Sequence, residues 1–291
     1  MHADTPLAAL LSRGRLVCAH RGARSLAPEN TMPAAEAALG ARADMWEMDV
    51  QRTSDGQLVV FHDDTLERTT NVAERPEFAA RAPWPVAAFS LAELRGLDAG
   101  SWFAARDPHG AVAAGEVDAA ALKAGRGARI PLLAEALAFT VRRGLAMNLE
   151  IKDQIHAPGD LSIVPQVLDA VRAAGAEGLV LLSSFNHTYV AEAVRLAPAL
   201  PCGALVEERH AAGGDAASIA AYLKELGAAA YHPDDEITDL DLVRGLFEHG
   251  VLVNLYTVND MARALALFEA GATTVITDYP QRLRAALEAQ G

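Results

Sequence analysis

Short apolar runs alternate with longer Ala- and Leu-rich amphipathic stretches along nearly the whole chain, a pattern that selects β/α units around a parallel sheet. Candidate strands are residues 15–19, 45–49, 146–150, 179–183, 203–206, 229–231, 251–256 and 274–277. Helices are expected near 31–40, 132–143, 163–174, 187–196, 216–226, 239–249 and 260–270, with a last one near 281–289. Eight parallel strands with eight helices fit a closed TIM (β/α)₈ barrel better than an open sheet. A chain of 291 residues can bury the core such a barrel needs, so residues 1–291 are expected to form a single barrel domain.

One apolar run breaks the alternation. Residues 58–62 follow the second strand after only Ser54-Asp55-Gly56-Gln57, too few residues for a parallel crossover. Asp-Gly is a hairpin signal, so 58–62 is expected to fold back antiparallel along an extension of strand two. With Asp55 and Gly56 as a two-residue loop, Ser54 faces Gln57, Asp49 faces His62 and Glu47 faces Asp64. Residues from about 66 to 129 then interrupt the barrel. They carry Pro76, Pro83, Pro85 and Pro108 and helical pieces at 90–97 and 116–124. A segment that long reads as an inserted subdomain or lid.

The hairpin register puts Glu47, Asp49, His62 and Asp64 on one face of the arm, because strand side chains alternate. A third carboxylate, Glu150, ends another strand, with Lys152 two residues on and on the same face. Glu47, Asp49 and Glu150 make a hard-oxygen set suited to Mg²⁺ or Ca²⁺, with Mn²⁺ also accepted. The bland alternative is ion pairing with arginines on the barrel rim. Neither cysteine nor a close histidine pair joins the three carboxylates, which argues against structural zinc. The first strand ends in Cys18-Ala19-His20-Arg21-Gly22. Arg21 offers bidentate contacts to phosphate oxygens, and His20 with His62 offers an acid and a base near neutral pH.

A formal charge of -13 opposes binding to nucleic acid or an anionic membrane. A small anionic substrate would then need a local group of cations or a bound metal. No apolar run reaches membrane-span length, and Arg13 and Arg15 follow the apolar residues 7–11 instead of preceding them. A cytoplasmic protein is the expectation. Cys18 and Cys202 each lie inside an apolar run and read as buried strand residues, not a disulfide.

Several segments together resemble the glycerophosphodiester phosphodiesterases. They are AHRGARSLAPENT at 19–31, WEMDVQRTSDGQLVVFHDDTLERTTN at 46–71, LAELRGLDAGSWF at 91–103, IPLLAEAL at 130–137, NLEIK at 148–152, YTVN at 256–259 and ITDYP at 276–280. The resemblance implies a metal held by Glu47, Asp49 and Glu150, an acid/base pair of His20 and His62, and phosphate contacts from Arg21 and Lys152. It implies hydrolysis of a glycerophosphodiester to sn-glycerol 3-phosphate and an alcohol through a cyclic phosphate. Glu29 reads as an orienter of Arg21 or His20. Tyr256 stands where the family commonly has Trp, which keeps an aromatic wall; Phe185 reads either as lining the same pocket or as a core residue. His2, His109, His156, His187, His210, His232 and His249 are expected on the surface or in loops, with a place at the pocket rim the alternative for His232, just past a strand end. Asp153 reads as a solvated loop residue. Two rivals are a related phosphodiesterase acting on a lipid and a non-catalytic binding protein on the same barrel.

Overall fold

The computed structural model describes residues 5–207 and 214–290. Eight parallel strands close into a barrel: β1 (Leu16–Ala19), β2 (Met45–Arg52), β4 (Ala146–Ile151), β5 (Val180–Ser184), β6 (Cys202–Val206), β7 (Ala230–Pro233), β8 (Leu252–Leu255) and β9 (Thr274–Thr277). They pair in chain order, and β1 meets both β2 and β9 to complete the ring. The expected TIM barrel is therefore present. β3 (Leu58–Val60) is the antiparallel arm on the distal half of β2.

Two of the helices outside the β/α alternation are α1 (Pro6–Arg13), at the start, and α4 (Trp102–Arg106), in the insertion. Neither is among the expected elements. Thr5 accepts from the Ala8 amide as N-cap and Pro6 opens the first turn, a start signal attached to only eight residues. Leu7 and Leu11 of α1 pack with Leu16, Cys18, Met45, Ala146, Leu181, Ala230 and Ile276, plugging the N-terminal end of the barrel. The outer faces of the strands pack under the helices; Trp46 lies edge-on to Phe139 of α6 (Leu133–Arg143) at 5.2 Å and donates to Thr140.

The hairpin corrects the expected register by one residue. Arg52 pairs with Leu58 and Val50 with Val60, so Thr53 closes on Gln57 around a three-residue loop, Ser54-Asp55-Gly56. Gly56 has φ +79°, the left-handed residue that ends such a loop. Asp49 consequently lies opposite Phe61, not His62. A one-residue slip should turn His62 to the wrong face. It does not, because the ladder stops at Val60. The Gln51 amide then donates to the carbonyls of Phe61, His62 and Asp63 at 3.1, 3.0 and 2.7 Å, and the chain curls around it. Asp64, expected opposite Glu47, is exposed instead.

Within 66–129, Leu66, Val72, Phe78, Val86, Phe89, Leu94 and Leu97 form an apolar cluster with Val59 and Phe61 of the arm. α3 (Leu91–Arg95) falls within the expected helical piece at 90–97, and α5 (Ala119–Gly125) overlaps the one at 116–124, ending a residue later. Cys18 and Cys202 are buried, unbridged strand residues. Among the described residues no helix is long and apolar enough to cross a membrane.

His232 departs from its expected place. β7 runs on to Pro233, so His232 is a strand residue facing inward, fully buried, with Nε2 accepting from Asn254 at 2.8 Å. Burial lowers its pKa to about 3, which keeps the ring neutral. The ring occupies the space a side chain on Gly203 would need: a Cβ there would meet His232 Nε2 at 2.3 Å. Gly203→Ala should therefore destabilise the fold by about 1–3 kcal/mol. Urea unfolding measures this, and an unchanged midpoint would refute the packing.

Candidate active site

Glu47 and Asp49 alternate along β2 so that both face the barrel mouth, and Glu150 on β4 stands in register with Asp49. One ligand oxygen from each of the three lies within 4.8 Å of the others, and all three residues are buried. Asn30 donates to Asp49 Oδ2 at 2.7 Å, and the Arg21 amide donates to Glu47 Oε2 at 2.8 Å. Lys152 Nζ lies 2.8 Å from Glu150 and 3.8 Å from Asp49. These contacts require unusual backbone: Arg21 and Asn30 have φ +52° and +55° without being glycine, a strain held by the surrounding bonds.

Electrostatics separate the three acids. Burial, then the charges of Asp49 and Glu150, push Glu47 well above the usual carboxylate range. Burial also raises Glu150, against the pull of Lys152. Burial opposes ionisation of Asp49 too, but His62, Lys152 and Arg21 outweigh it and bring its pKa to about 2. Asp49 Oδ1 is buried without a hydrogen-bond partner. An all-oxygen set with excess negative charge and an unsatisfied inward oxygen fits a divalent cation, and Glu47, Asp49 and Glu150 could hold one.

The two histidines share a second pattern. His20 Nδ1 lies 2.7 Å from Asp278 Oδ1, and Asp278 Oδ2 accepts from Asn259 at 2.8 Å. His62 Nδ1 lies 2.7 Å from Asp63 Oδ1, and Arg68 donates to both oxygens of Asp63. Each carboxylate occupies Nδ1 and leaves Nε2 for other work. Burial first, and then Arg21, lower His20 to about 4, although Asp278 pulls the other way. Its ring proton should accordingly titrate near 4 by NMR, in place of the usual 6.5. Because the folded pKa lies below the unfolded one, His20 stabilises the fold above about 6.5, and that contribution is lost as pH falls through 4. A titration at 6.5 would contradict the buried geometry.

Glu29 accepts from Arg21 Nη1 at 2.7 Å, and Arg24 and Arg68 donate to the same carboxylate. Phe185 and Tyr256 meet edge to face at 5.7 Å, with Lys152 Nζ 5.8 Å from the Phe185 ring centre. Tyr256 donates its hydroxyl to the Val206 carbonyl. Asp153 lies apart from the carboxylates and accepts from Asn186.

Sequence reasoning passed over Asn30, Asp63, Arg24, Arg68, Asn259 and Asp278. Asp278 carried one usable signal, a carboxylate immediately past the end of a barrel strand. His109, expected on the surface or in a loop, has a largely covered side chain 4.0 Å from Asp278. His2 and His210 lie outside the described residues.

The profile of the glycerophosphoryl diester phosphodiesterase family matches residues 20–282. A Bacillus subtilis glycerophosphodiester phosphodiesterase is 34% identical over 278 residues, covering 93% of this chain and 86% of the relative. One from Caldanaerobacter subterraneus subsp. tengcongensis is 33% identical, covering 92% and 96%. A phosphodiesterase from Oleispira antarctica, solved in complex with the product sn-glycerol-3-phosphate, superposes with a TM-score of 0.77 at 28% identity, covering 96% of this chain and 99% of that one.

Proposed function

Because this chain belongs to the glycerophosphoryl diester phosphodiesterase family, we propose that it hydrolyses soluble glycerophosphodiesters to sn-glycerol 3-phosphate and an alcohol, using one divalent cation. The observation that carries this reading is the buried triad Glu47, Asp49 and Glu150 beside two histidines with carboxylate-bound Nδ1 atoms. The sn-glycerol-3-phosphate in the Oleispira relative supports the product assignment.

When bound, the cation would supply positive charge for a phosphate oxygen and acidify a neighbouring hydroxyl. The chain's own residues then divide the proton work. His20, neutral and held through Nδ1 by Asp278, takes the proton from the glycerol 2-hydroxyl at Nε2. The hydroxyl oxygen attacks phosphorus, and the bond from phosphorus to the head-group oxygen breaks. His62, held by Asp63, gives a proton to that oxygen, so the alcohol leaves neutral. Water opens the resulting cyclic glycerol phosphate with the two histidine roles exchanged. Arg21 and Lys152 face the phosphate, and the Phe185–Tyr256 wall receives the glycerol carbons.

The test is glycerol 3-phosphate release from glycerophosphocholine by purified protein, after EDTA and after adding back Mg²⁺, Ca²⁺ or Mn²⁺. Cation-restored release is the expected result, and the most effective ion identifies the cofactor. Lysophosphatidylcholine assayed in parallel separates a lipid substrate from a soluble one. No turnover of either substrate with any ion would overturn the proposal in favour of a binding role.

A further inference from the structure

Deepening that reading and resting on it, we infer that Glu29, Arg24 and Arg68 form a strut that fixes the two histidine–carboxylate pairs relative to each other. Arg24 and Arg68 are thus positioning residues for the reaction, and Arg68 brings the segment after the β-arm into it.

The connection can be followed contact by contact. Arg24 Nη1 lies 3.6 Å from Asp278 Oδ1 and 3.5 Å from His20 Nδ1. Its Nη2 donates to Glu29 Oε2 at 2.9 Å. Arg68 donates to the same Oε2 at 2.9 Å and to Oε1 at 2.6 Å. Its Nε donates to Asp63 Oδ2 at 2.6 Å, and Asp63 holds His62. The path from one catalytic ring to the other is His20, Asp278, Arg24, Glu29, Arg68, Asp63, His62. Arg21, which touches the carboxylate triad, branches from Glu29 at 2.7 Å.

Burial makes the path stiff. The Glu29 side chain is 3% exposed and that of Arg24 16%, which stiffens the inner half of the path; Arg68, at 41% exposed, is held instead by four hydrogen bonds to the carboxylates of Glu29 and Asp63. Burial works against the charge of Glu29, yet the bond from Arg68 and the charges of Arg21 and Arg24 hold its pKa well below the ordinary carboxylate value. A carboxylate shared by three guanidinium groups cannot shift toward one without loosening the others. The two rings come from loops on opposite sides of β2's pairing, after β1 and after β3, with no direct backbone ladder between them. The proposed chemistry needs both Nε2 atoms in place at once, and misplacement by about 1 Å can cost roughly 10²-fold.

The experiment compares Arg24→Ala, Arg68→Ala, the double variant, Glu29→Gln, and the conservative Arg24→Lys and Arg68→Lys in the full chain. Each alanine variant should lower kcat on glycerophosphocholine roughly 10–100-fold, with KM changed little. The double variant should fall short of the product of the two losses by at least about five-fold, because both act through Glu29. Losses that multiply in full would mean two independent pairs and overturn the strut. A change confined to KM would assign the arginines to substrate binding and overturn it as well. If an alanine variant does not fold, the lysine pair supports the same cycle.

A second readout needs no turnover. ¹⁵N resonances of the His20 and His62 rings, assigned through His20→Gln and His62→Gln, should respond across the strut. Arg68→Ala should move the His20 signals, and Arg24→Ala those of His62. Unmoved distant signals would overturn the inference even in an active enzyme. Moved signals in a protein with no phosphodiesterase activity would retain the strut and reject the function.

Discussion

His62→Ala should slow glycerol 3-phosphate release from glycerophosphocholine by roughly 10²–10⁴-fold, the usual contribution of a general acid. A diester with p-nitrophenol as leaving group should escape most of that loss, since its oxygen departs without a proton. His20→Ala should fall as far on both substrates, because loss of the base is not repaired by a better leaving group. The contrast follows from the two environments. His20 is buried with its pKa lowered to about 4, so at neutral pH its Nε2 is free to accept. His62 is more open, with 30% of its side chain exposed on the side where the chain leaves β3. Steady-state kcat and KM for both variants on both substrates decide it. The reverse pattern, with His20→Ala rescued and His62→Ala not, would exchange the two roles.

Glu47→Gln should have the other large effect, and it should act with opposite signs on activity and on cation-free stability. Loss of one of the three proposed ligands should remove several kcal/mol of transition-state charge stabilisation, a fall of at least about 10³-fold. Stability without cation should rise. Burial and the charges of Asp49 and Glu150 raise the Glu47 pKa in the fold, so its contribution is present below the unfolded value and lost as pH rises through the folded one. Chelated wild type should therefore weaken toward alkaline pH, and Glu47→Gln should weaken less. A cation at about 100 times its Kd should stabilise wild type by about 2.7 kcal/mol and leave the variant nearly unmoved. Melting curves with EDTA, Mg²⁺ and Ca²⁺ across pH give the answer; equal cation shifts in both proteins would remove Glu47 from the ligand set.

The barrel was legible because a parallel strand buried on both faces must be an apolar run, and eight such runs stood between amphipathic stretches. Glu47 and Asp49 were legible as a pair because alternation within β2 needs no knowledge of its neighbours, and Glu150 because it stands near the end of another strand. Register was harder. Asp-Gly reads equally as the whole of a two-residue loop or as the end of a three-residue one, and Gly56 takes the second role. His62 reached the site only because Gln51 gathers three carbonyls, a contact that no strand rule anticipates. His232 was misplaced because its strand was ended at 231, two residues early. Asp278 lies 258 positions from His20, and Arg68 lies 39 from Glu29. Partners so far apart acquire meaning only once the ring has closed.

That ring closes between the first barrel strand and the last: Leu16–Ala19 pairs with Thr274–Thr277, and the residue after each strand supplies one half of the His20–Asp278 pair. A growing chain therefore carries Glu47, Asp49, Glu150, both histidines and most of its helices well before it carries the carboxylate that holds His20. During synthesis, at about 5–20 residues per second, the sheet would remain open and unsealed until Thr274–Thr277 has emerged. A chain cut short before β9 would leave two exposed strand edges and a His20 without the Asp278 carboxylate that holds its ring.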